Sequence, residues 1–267
     1  MELYITRHGQ TKANIEKYMQ GQTPGELTLE GCEQAKKFGI YYKDMIFDEI
    51  YCSDLLRAKK TLEIILNENN HKEHNNNNII TYTEKLREIN VKSLEYKSCS
   101  LDNQLRNNPP DKYRFNLTGE NDETFIDVFY RISQFLDYLI QKNISKDYNS
   151  GITKENVYKL NEEAKVISSD NFNNLWENRK LTYKDNNNIK CKKIFILCHG
   201  GAIYEMVNNI LYRTRKNVIL KRLKSENTCL YILKILPKDN KKKIKNDNDI
   251  IFSFDLVNDI THLNNNK

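Results

Sequence analysis

Among the six cysteines no pair has the Cys-x-x-Cys spacing of a metal or dithiol site. No secretory leader or transit-like amino terminus is expected from the sequence, nor any apolar run long enough to cross a bilayer. No block interleaves aromatic with basic residues, so no nucleic-acid platform is expected. His71 and His74 have a ligand-like spacing but no carboxylate or cysteine in register, and no metal site is expected. Together these absences predict a cytoplasmic protein with reduced thiols, no membrane contact and no nucleic-acid partner.

What is present is polar. Of 267 residues 29% are charged, with a net charge of +6, and mean hydropathy is −0.74. Much of that polarity sits in Asn- and Lys-rich segments read as surface insertions, and the mild basicity suits an anionic substrate. A chain this long buries a substantial core, as one large α/β unit or two small ones.

Two stretches, far apart in the chain, share one design. The apolar residues 3–5 run directly into Arg7, His8 and Gly9, and residues 194–197 run through Cys198 into His199, Gly200 and Gly201. Each reads as a buried strand delivering polar side chains at its carboxyl end, where α/β sheets bind ligands. Thr11 and Asn14 follow the first at an expected helix start, a natural setting for an anion. One such histidine is ordinarily a hydrogen-bonded structural residue. Two of them across one crevice make a candidate phosphate site.

Between these stretches the chain alternates strands with helices. Thr28 should cap a helix with Cys32, Ala35, Phe38 and Tyr42 at helical spacing. Residues 46–52 read as a strand ending in Ser53, which should cap a helix bearing Leu55, Ala58, Leu62 and Ile65. Arg57 falls in its first turns and, taken alone, reads as a solvated helix arginine. Residues 67–78 form a polar loop, 79–83 a strand leading to Glu88, and 99–118 a crevice cover with Pro109 and Pro110. A helix over 123–142 should bury Phe125, Val128, Ile132, Phe135 and Leu139. Residues 143–191 read as a polar insertion with a helical segment near Leu175 and Trp176. A helix over 202–212 precedes a basic stretch, 213–224, read as a solvated helix or loop. A strand at 229–236, a charged loop at 237–249, a strand at 251–257 and a disordered tail from 264 complete the chain.

Several ordered blocks resemble the histidine phosphatase superfamily, also called phosphoglycerate mutase-like. They are Arg7-His8-Gly9-Gln10-Thr11 with Asn14, Leu27-Thr28-Leu29-Glu30-Gly31 with Gln34-Ala35, and Ser53-Asp54-Leu55 with Arg57-Ala58 and Thr61. Leu86-Arg87-Glu88, Gly119-Glu120 and His199-Gly200 follow in the same order. The resemblance implies one domain over 1–267, a three-layer α/β/α fold around a mostly parallel sheet. It implies His8 as a nucleophile that becomes phosphohistidine, Arg7 and Arg57 as phosphate clamps, Glu88 as general acid, and His199 as a protonated donor. Gly9, Thr11, Asn14, Gln20, Gly21 and Gly200 join Arg7, Arg57, Glu88 and His199 as implied substrate contacts. No metal is implied, because the guanidinium groups already neutralise the phosphoryl charge.

The family holds both phosphatases and 2,3-bisphosphoglycerate-primed mutases. Gly200-Gly201-Ala202 stands where mutases usually carry Gly-Asn-Ser, and Ile89-Asn90 where they carry Arg-His. Lys92 and Asn121 in turn replace a glycine and a serine common in phosphatases. A phosphatase of small phosphorylated metabolites is therefore expected, with a mutase as alternative and a catalytically retired scaffold behind both. No cofactor is expected unless the chain is a mutase, and a homodimer is possible.

Overall fold

The computed structural model describes residues 1–68, 79–98, 122–163, 165–167, 172, 191–215, 218–220, 223–239 and 243–264. The His71/His74 pair, the crevice cover at 99–118, Gly119-Glu120, Leu175, Trp176 and the tail after 264 lie outside the described residues.

A six-stranded sheet organises the chain, in the order β3-β2-β5-β1-β7-β8. Its parallel part consists of β1 (Glu2–Arg7), β2 (Glu49–Ser53), β3 (Ile80–Thr83) and β5 (Lys193–Cys198). β7 (Leu230–Pro237) and β8 (Ile250–Asp259) add antiparallel strands beyond β1. The fold is α/β with a mixed, mostly parallel sheet.

Helices cover both faces, which explains the near-continuous apolar runs of the central strands. Because side chains alternate, Leu3 and Ile5 with Ile194, Ile196 and Cys198 enter one core, under α4 (Phe125–Asn143) and α6 (Gly200–Arg215). Tyr4, Phe195 and Leu197 enter the other, under α2 (Leu29–Tyr41) and α3 (Leu56–Asn67). Thr28 caps α2, accepting from the Gly31 amide at 2.9 Å. Thr124 and Asp127 form a capping box on α4, and all five expected apolar positions of that helix are buried.

Two sequence expectations need correction. Ser53 does not cap α3; the N-cap is Leu55, which offers no side-chain acceptor, and Ser53 is buried as the last residue of β2. Arg213 is not solvated. Its side chain is fully buried, paired with Asp137 at 2.8 Å and Asp247 at 3.0 Å.

Part of the expected polar insertion also enters the core, through buried Tyr148, Val157 and Phe172. Its helix α5 (Lys154–Glu163) packs through Val157 onto Ile126 and Phe129 of α4. Its strand β4 (Lys165–Ile167) pairs in parallel with β6 (Val218–Leu220). Hydrophobic residues spaced among Asn and Lys do not raise local hydropathy, so these anchors were hidden in a polar average. The expected charged loop holds a 3₁₀ turn, Asp247–Asp249, whose first residue reaches Arg213.

Candidate active site

Strand pairing builds the site. β1 and β5 are parallel neighbours in a register that sets Arg7 beside Cys198. The next residues, His8 and His199, therefore leave the sheet side by side, and the His8 amide donates to the Cys198 carbonyl at 3.1 Å. Their ring centroids lie 5.1 Å apart. β2, on the far side of β5, brings Ser53 to the same edge, and α3 carries Arg57 back over it.

His8 is buried, and its Nδ1 lies 2.7 Å from the Gly9 carbonyl. A carbonyl only accepts, so Nδ1 carries the hydrogen and Nε2 keeps its lone pair. Arg57 Nε donates to that Nε2 at 3.3 Å. Burial first, then the charges of Arg57 and Arg7, hold His8 well below its ordinary pKa. The imidazole is neutral at physiological pH.

Arg57 is 1% exposed and, among the described residues, has no carboxylate as a hydrogen-bond partner, although Glu88 and Glu95 lie near enough to act on its charge. Its remaining nitrogens donate to the carbonyls of Thr23 at 3.0 Å and Gly21 at 2.8 Å. Burial lowers its pKa to about 10, so it stays a cation. Gly21 takes φ +53°, a left-handed turn that glycine adopts without the Cβ penalty. Arg7 donates to the Ser225 carbonyl at 2.6 Å, and its buried Nε has no partner among the described residues.

The resemblance implied a protonated His199. Burial, followed by the fields of Arg57, His8 and Arg7, instead pushes its pKa well below the ordinary value. Ser53 reconciles a neutral ring with a donor role. Its Oγ accepts from the Leu55 amide at 3.3 Å and lies 2.8 Å from His199 Nε2. If the hydroxyl donates to Nε2, the ring hydrogen lies on Nδ1, a buried atom without a partner among the described residues.

Glu88 reaches the site from the loop after β3. Its Oε2 accepts from the Gly201 amide at 3.0 Å and its Oε1 from the Ile89 amide at 2.9 Å. A Cβ on Gly201 would lie 2.1 Å from Oε1, so a side chain there would displace the carboxylate from its present position. Gln22 and Arg131 both donate to the Glu88 carbonyl, at 3.0 and 3.1 Å, and Glu123 holds Arg131 at 2.9 Å. The loop is stapled from both sides.

The implied substrate contacts divide. Asn14 Oδ1 accepts from the Thr11 amide and from Asn227, which fixes the orientation of its side-chain amide. Gly200 opens α6 beside Arg7, where a Cβ would sit 3.6 Å from Arg7 Nε. Gly9, Thr11 and Gln20 are occupied internally. The Gly9 amide donates to Thr61 Oγ1 at 3.0 Å, and the Thr11 hydroxyl to Gln20 Oε1 at 3.1 Å. Where a helix start for an anion was expected, α1 (Lys12–Glu16) has only five residues, and the amides of residues 9–11 ahead of it already have acceptors.

Sequence reasoning missed Ser53, Thr61, Gln22, Arg131 and Asn227 as supports. Ser53 and Thr61 stood inside the resembling blocks and gave a signal; Gln22, Arg131 and Asn227 gave none. No cluster of three or more metal-ligating side chains occurs among the described residues. A separate depression of about 480 Å³ is lined by Glu123, Asp127, Tyr130, Arg131 and Lys154 with Asp122. Arg131–Glu123 and Lys154–Asp127 are ion pairs within that wall, and none of the implied site residues lines it.

With this geometry in hand, comparison with known proteins is informative. A sequence model described as the histidine phosphatase superfamily (branch 1) matches residues 3–149. The chain is 38% identical over 68 residues to the adenosylcobalamin/alpha-ribazole phosphatase of Escherichia coli K12, covering 26% of this chain and 34% of that protein. It is 35% identical over 95 residues to the probable phosphoglycerate mutase GpmB of Salmonella choleraesuis, covering 36% and 41%. The chain thus spans about a third to two fifths of the curated relatives it matches. The solved structure of Bacillus stearothermophilus YhfR is similar in fold, with TM-score 0.59 and 19% identity over 98% of each chain.

Proposed function

Because the chain belongs to the histidine phosphatase superfamily, branch 1, we propose that it is a metal-independent phosphohydrolase of small phosphorylated metabolites. One observation carries the reading. The Gly9 carbonyl fixes the His8 tautomer so that an unprotonated Nε2 stands beside Arg57 and against His199.

In this reading His8 Nε2 attacks phosphorus, the bond to the leaving oxygen breaks, and Glu88 supplies that oxygen's proton. Water then attacks the phosphohistidine, Glu88 takes a proton back, and orthophosphate departs. Arg7 and Arg57 offer planar forks to the equatorial oxygens, whose charge catalysis must neutralise. His199 and Asn14 add neutral donors. Two guanidinium groups supply the positive charge that a metal supplies in other phosphoryl-transfer sites.

The curated names of relatives include both phosphatases and mutases. The residues around the site lean towards the phosphatase, since Gly201-Ala202 stands where mutases usually carry Asn-Ser, and Ile89-Asn90 where they carry Arg-His. The natural substrate remains open to a panel of metabolite phosphates.

The test is turnover of an aryl phosphate in the presence of chelator. His8→Ala should abolish it, whereas Glu88→Ala should retain far more activity, because a good leaving group needs no acid. On alkyl phosphates both variants should fail, since acid–base help is worth about 10²–10⁴-fold. Equal losses on the aryl ester would overturn the assignment of Glu88. Full activity in His8→Ala would overturn the whole reading. Exchange of 3- and 2-phosphoglycerate dependent on 2,3-bisphosphoglycerate would make it a mutase, and neither activity would leave the scaffold.

A further inference from the structure

We propose that the turn at residues 225–228 is a positioning device for the nucleophile, in which Asn227 holds His8 and His262 pins the turn. The inference rests on His8 being the nucleophile, as proposed above, and adds the parts that aim it.

Four hydrogen bonds run from this turn to three site residues. The Ser225 carbonyl accepts from Arg7 Nη1 at 2.6 Å, and the Thr228 amide donates to the Arg7 carbonyl at 3.2 Å. Asn227 Nδ2 donates to the His8 carbonyl at 2.9 Å and to Asn14 Oδ1 at 3.2 Å. One side chain therefore ties together the backbone of the nucleophile and the amide of Asn14. A loop that merely connected α6 and β6 to β7 would need none of these bonds.

The turn is held in an unfavourable shape. Thr228 takes φ +56°, a left-handed conformation that a β-branched residue rarely adopts. Such strain persists only where the surroundings over-determine it, and it clusters at functional sites. Here the restraints are visible. The Thr228 hydroxyl donates to the Asn227 carbonyl at 2.8 Å, which leaves its oxygen to accept from His262 Nε2 at 3.0 Å. Both residues are buried. His262 belongs to α7 (Thr261–Asn264) and packs edge-on against Phe38 of α2, with centroids 5.1 Å apart. Asn258, itself at φ +50°, accepts from the Glu226 amide at 3.0 Å.

The chain of contacts runs from α2 through His262, Thr228 and Asn227 to the His8 backbone. None of the pinning residues is placed among the groups that would touch substrate, so they are positioning residues. Their loss should slow chemistry more than binding, because a small misplacement of a nucleophile lowers the rate of the step it performs.

Asn227→Asp keeps the shape but replaces the donor facing the His8 carbonyl with an acceptor. With an aryl phosphate its kcat should fall on the order of 10- to 100-fold, with KM changed by no more than about threefold. His262→Ala should act in the same direction, and His262→Gln, which retains an amide donor, should recover most of the loss. Activities are expressed per folded molecule, from thermal melts of each variant at the assay temperature. A kcat within about twofold of the parent in Asn227→Asp, or losses matching only the unfolded fraction, would overturn the proposal. So would equal kcat in His262→Gln and His262→Ala. His8→Ala, run alongside, separates the two readings. If it is dead while Asn227→Asp is normal, only the positioning proposal falls; if it is active, the nucleophile assignment falls first.

Discussion

Arg57 and Arg213 are both buried arginines, and they are buried in opposite ways. Arg213 sits between two carboxylates, Asp137 and Asp247, with Tyr148 and Ser133 completing its partners. Arg57 rests on two carbonyls and an imidazole. Carbonyls satisfy the N–H groups of a guanidinium without neutralising it, and the carboxylates of Glu88 and Glu95 act on Arg57 only through space. A cation taken out of water without a contacting counter-charge carries a desolvation cost that an arriving anion can relieve. Arg213 has already found its anions. The difference separates a binding arginine from a structural one more reliably than burial, which the two share.

The largest effect should come from Arg57. Arg57→Met replaces the side chain by one of similar volume without the charge. Removing a preorganised donor to transition-state charge costs on the order of 10²–10³ in kcat. Stability should fall only modestly, since relief of the buried charge offsets part of the cost of leaving the Thr23 and Gly21 carbonyls without a donor. Vanadate or phosphate should raise the melting temperature of the parent and of Arg213→Met, but not that of Arg57→Met. A normal ligand-induced shift in Arg57→Met would erase the distinction drawn here.

The same pair shows what was legible in the sequence. Arg57 lies in a block with Ser53, Asp54 and Ala58, so a local pattern marked it, although its helix position alone pointed to solvent. Arg213 had no local signal, because its partners Asp247, Tyr148 and Asp137 stand 34, 65 and 76 residues away. His8 and His199 were legible one at a time, as polar residues closing apolar runs. Their adjacency depends on the pairing of β1 with β5, which hydrophobic periodicity does not encode. Ser53 was misread because a serine ahead of a helix resembles a cap, and it stands two residues too early for that. The sheet and helices came through where apolar spacing was regular. The supports of the site did not, because hydrogen bonds from Gln22, Arg131 and Asn227 to carbonyls leave no trace in composition.

Arg213→Met should give the next largest effect, and on stability rather than chemistry. It leaves Asp137 and Asp247 facing an apolar side chain. Breaking a buried pair from one side costs about 3–5 kcal/mol, and the lower end applies because both carboxylates retain some contact with water. Chemical denaturation should show a lower midpoint with an unchanged slope, while kcat per folded molecule stays near the parent value. A loss of kcat equal to that of Arg57→Met would mean that the far cluster reaches the site, and the two arginines would no longer represent separate roles.

The smallest effect is the most diagnostic, because it reads the charge of Arg57 at the two imidazoles directly. Both His8 and His199 have folded-state pKa values well below the ordinary 6.5, through burial first and Arg57 second. The unfolded chain takes up these protons near pH 6.5 and the folded chain resists them. Stability from the two rings is therefore complete above pH 6.5 and is lost as pH falls toward the folded-state values. His262, lowered to about 4 by burial, adds a loss over the range between 6.5 and 4. In Arg57→Met the burial persists but the nearest cation is gone, so the His8 and His199 titrations should move upward toward 6.5. Arg213→Met should leave both in place, since its charge is cancelled where it sits. Ring-proton NMR against pH follows these titrations without requiring turnover. Titrations unmoved by Arg57→Met would show burial alone holding the imidazoles neutral, and the case for Arg57 as a cation awaiting an anion would then rest on ligand binding by itself.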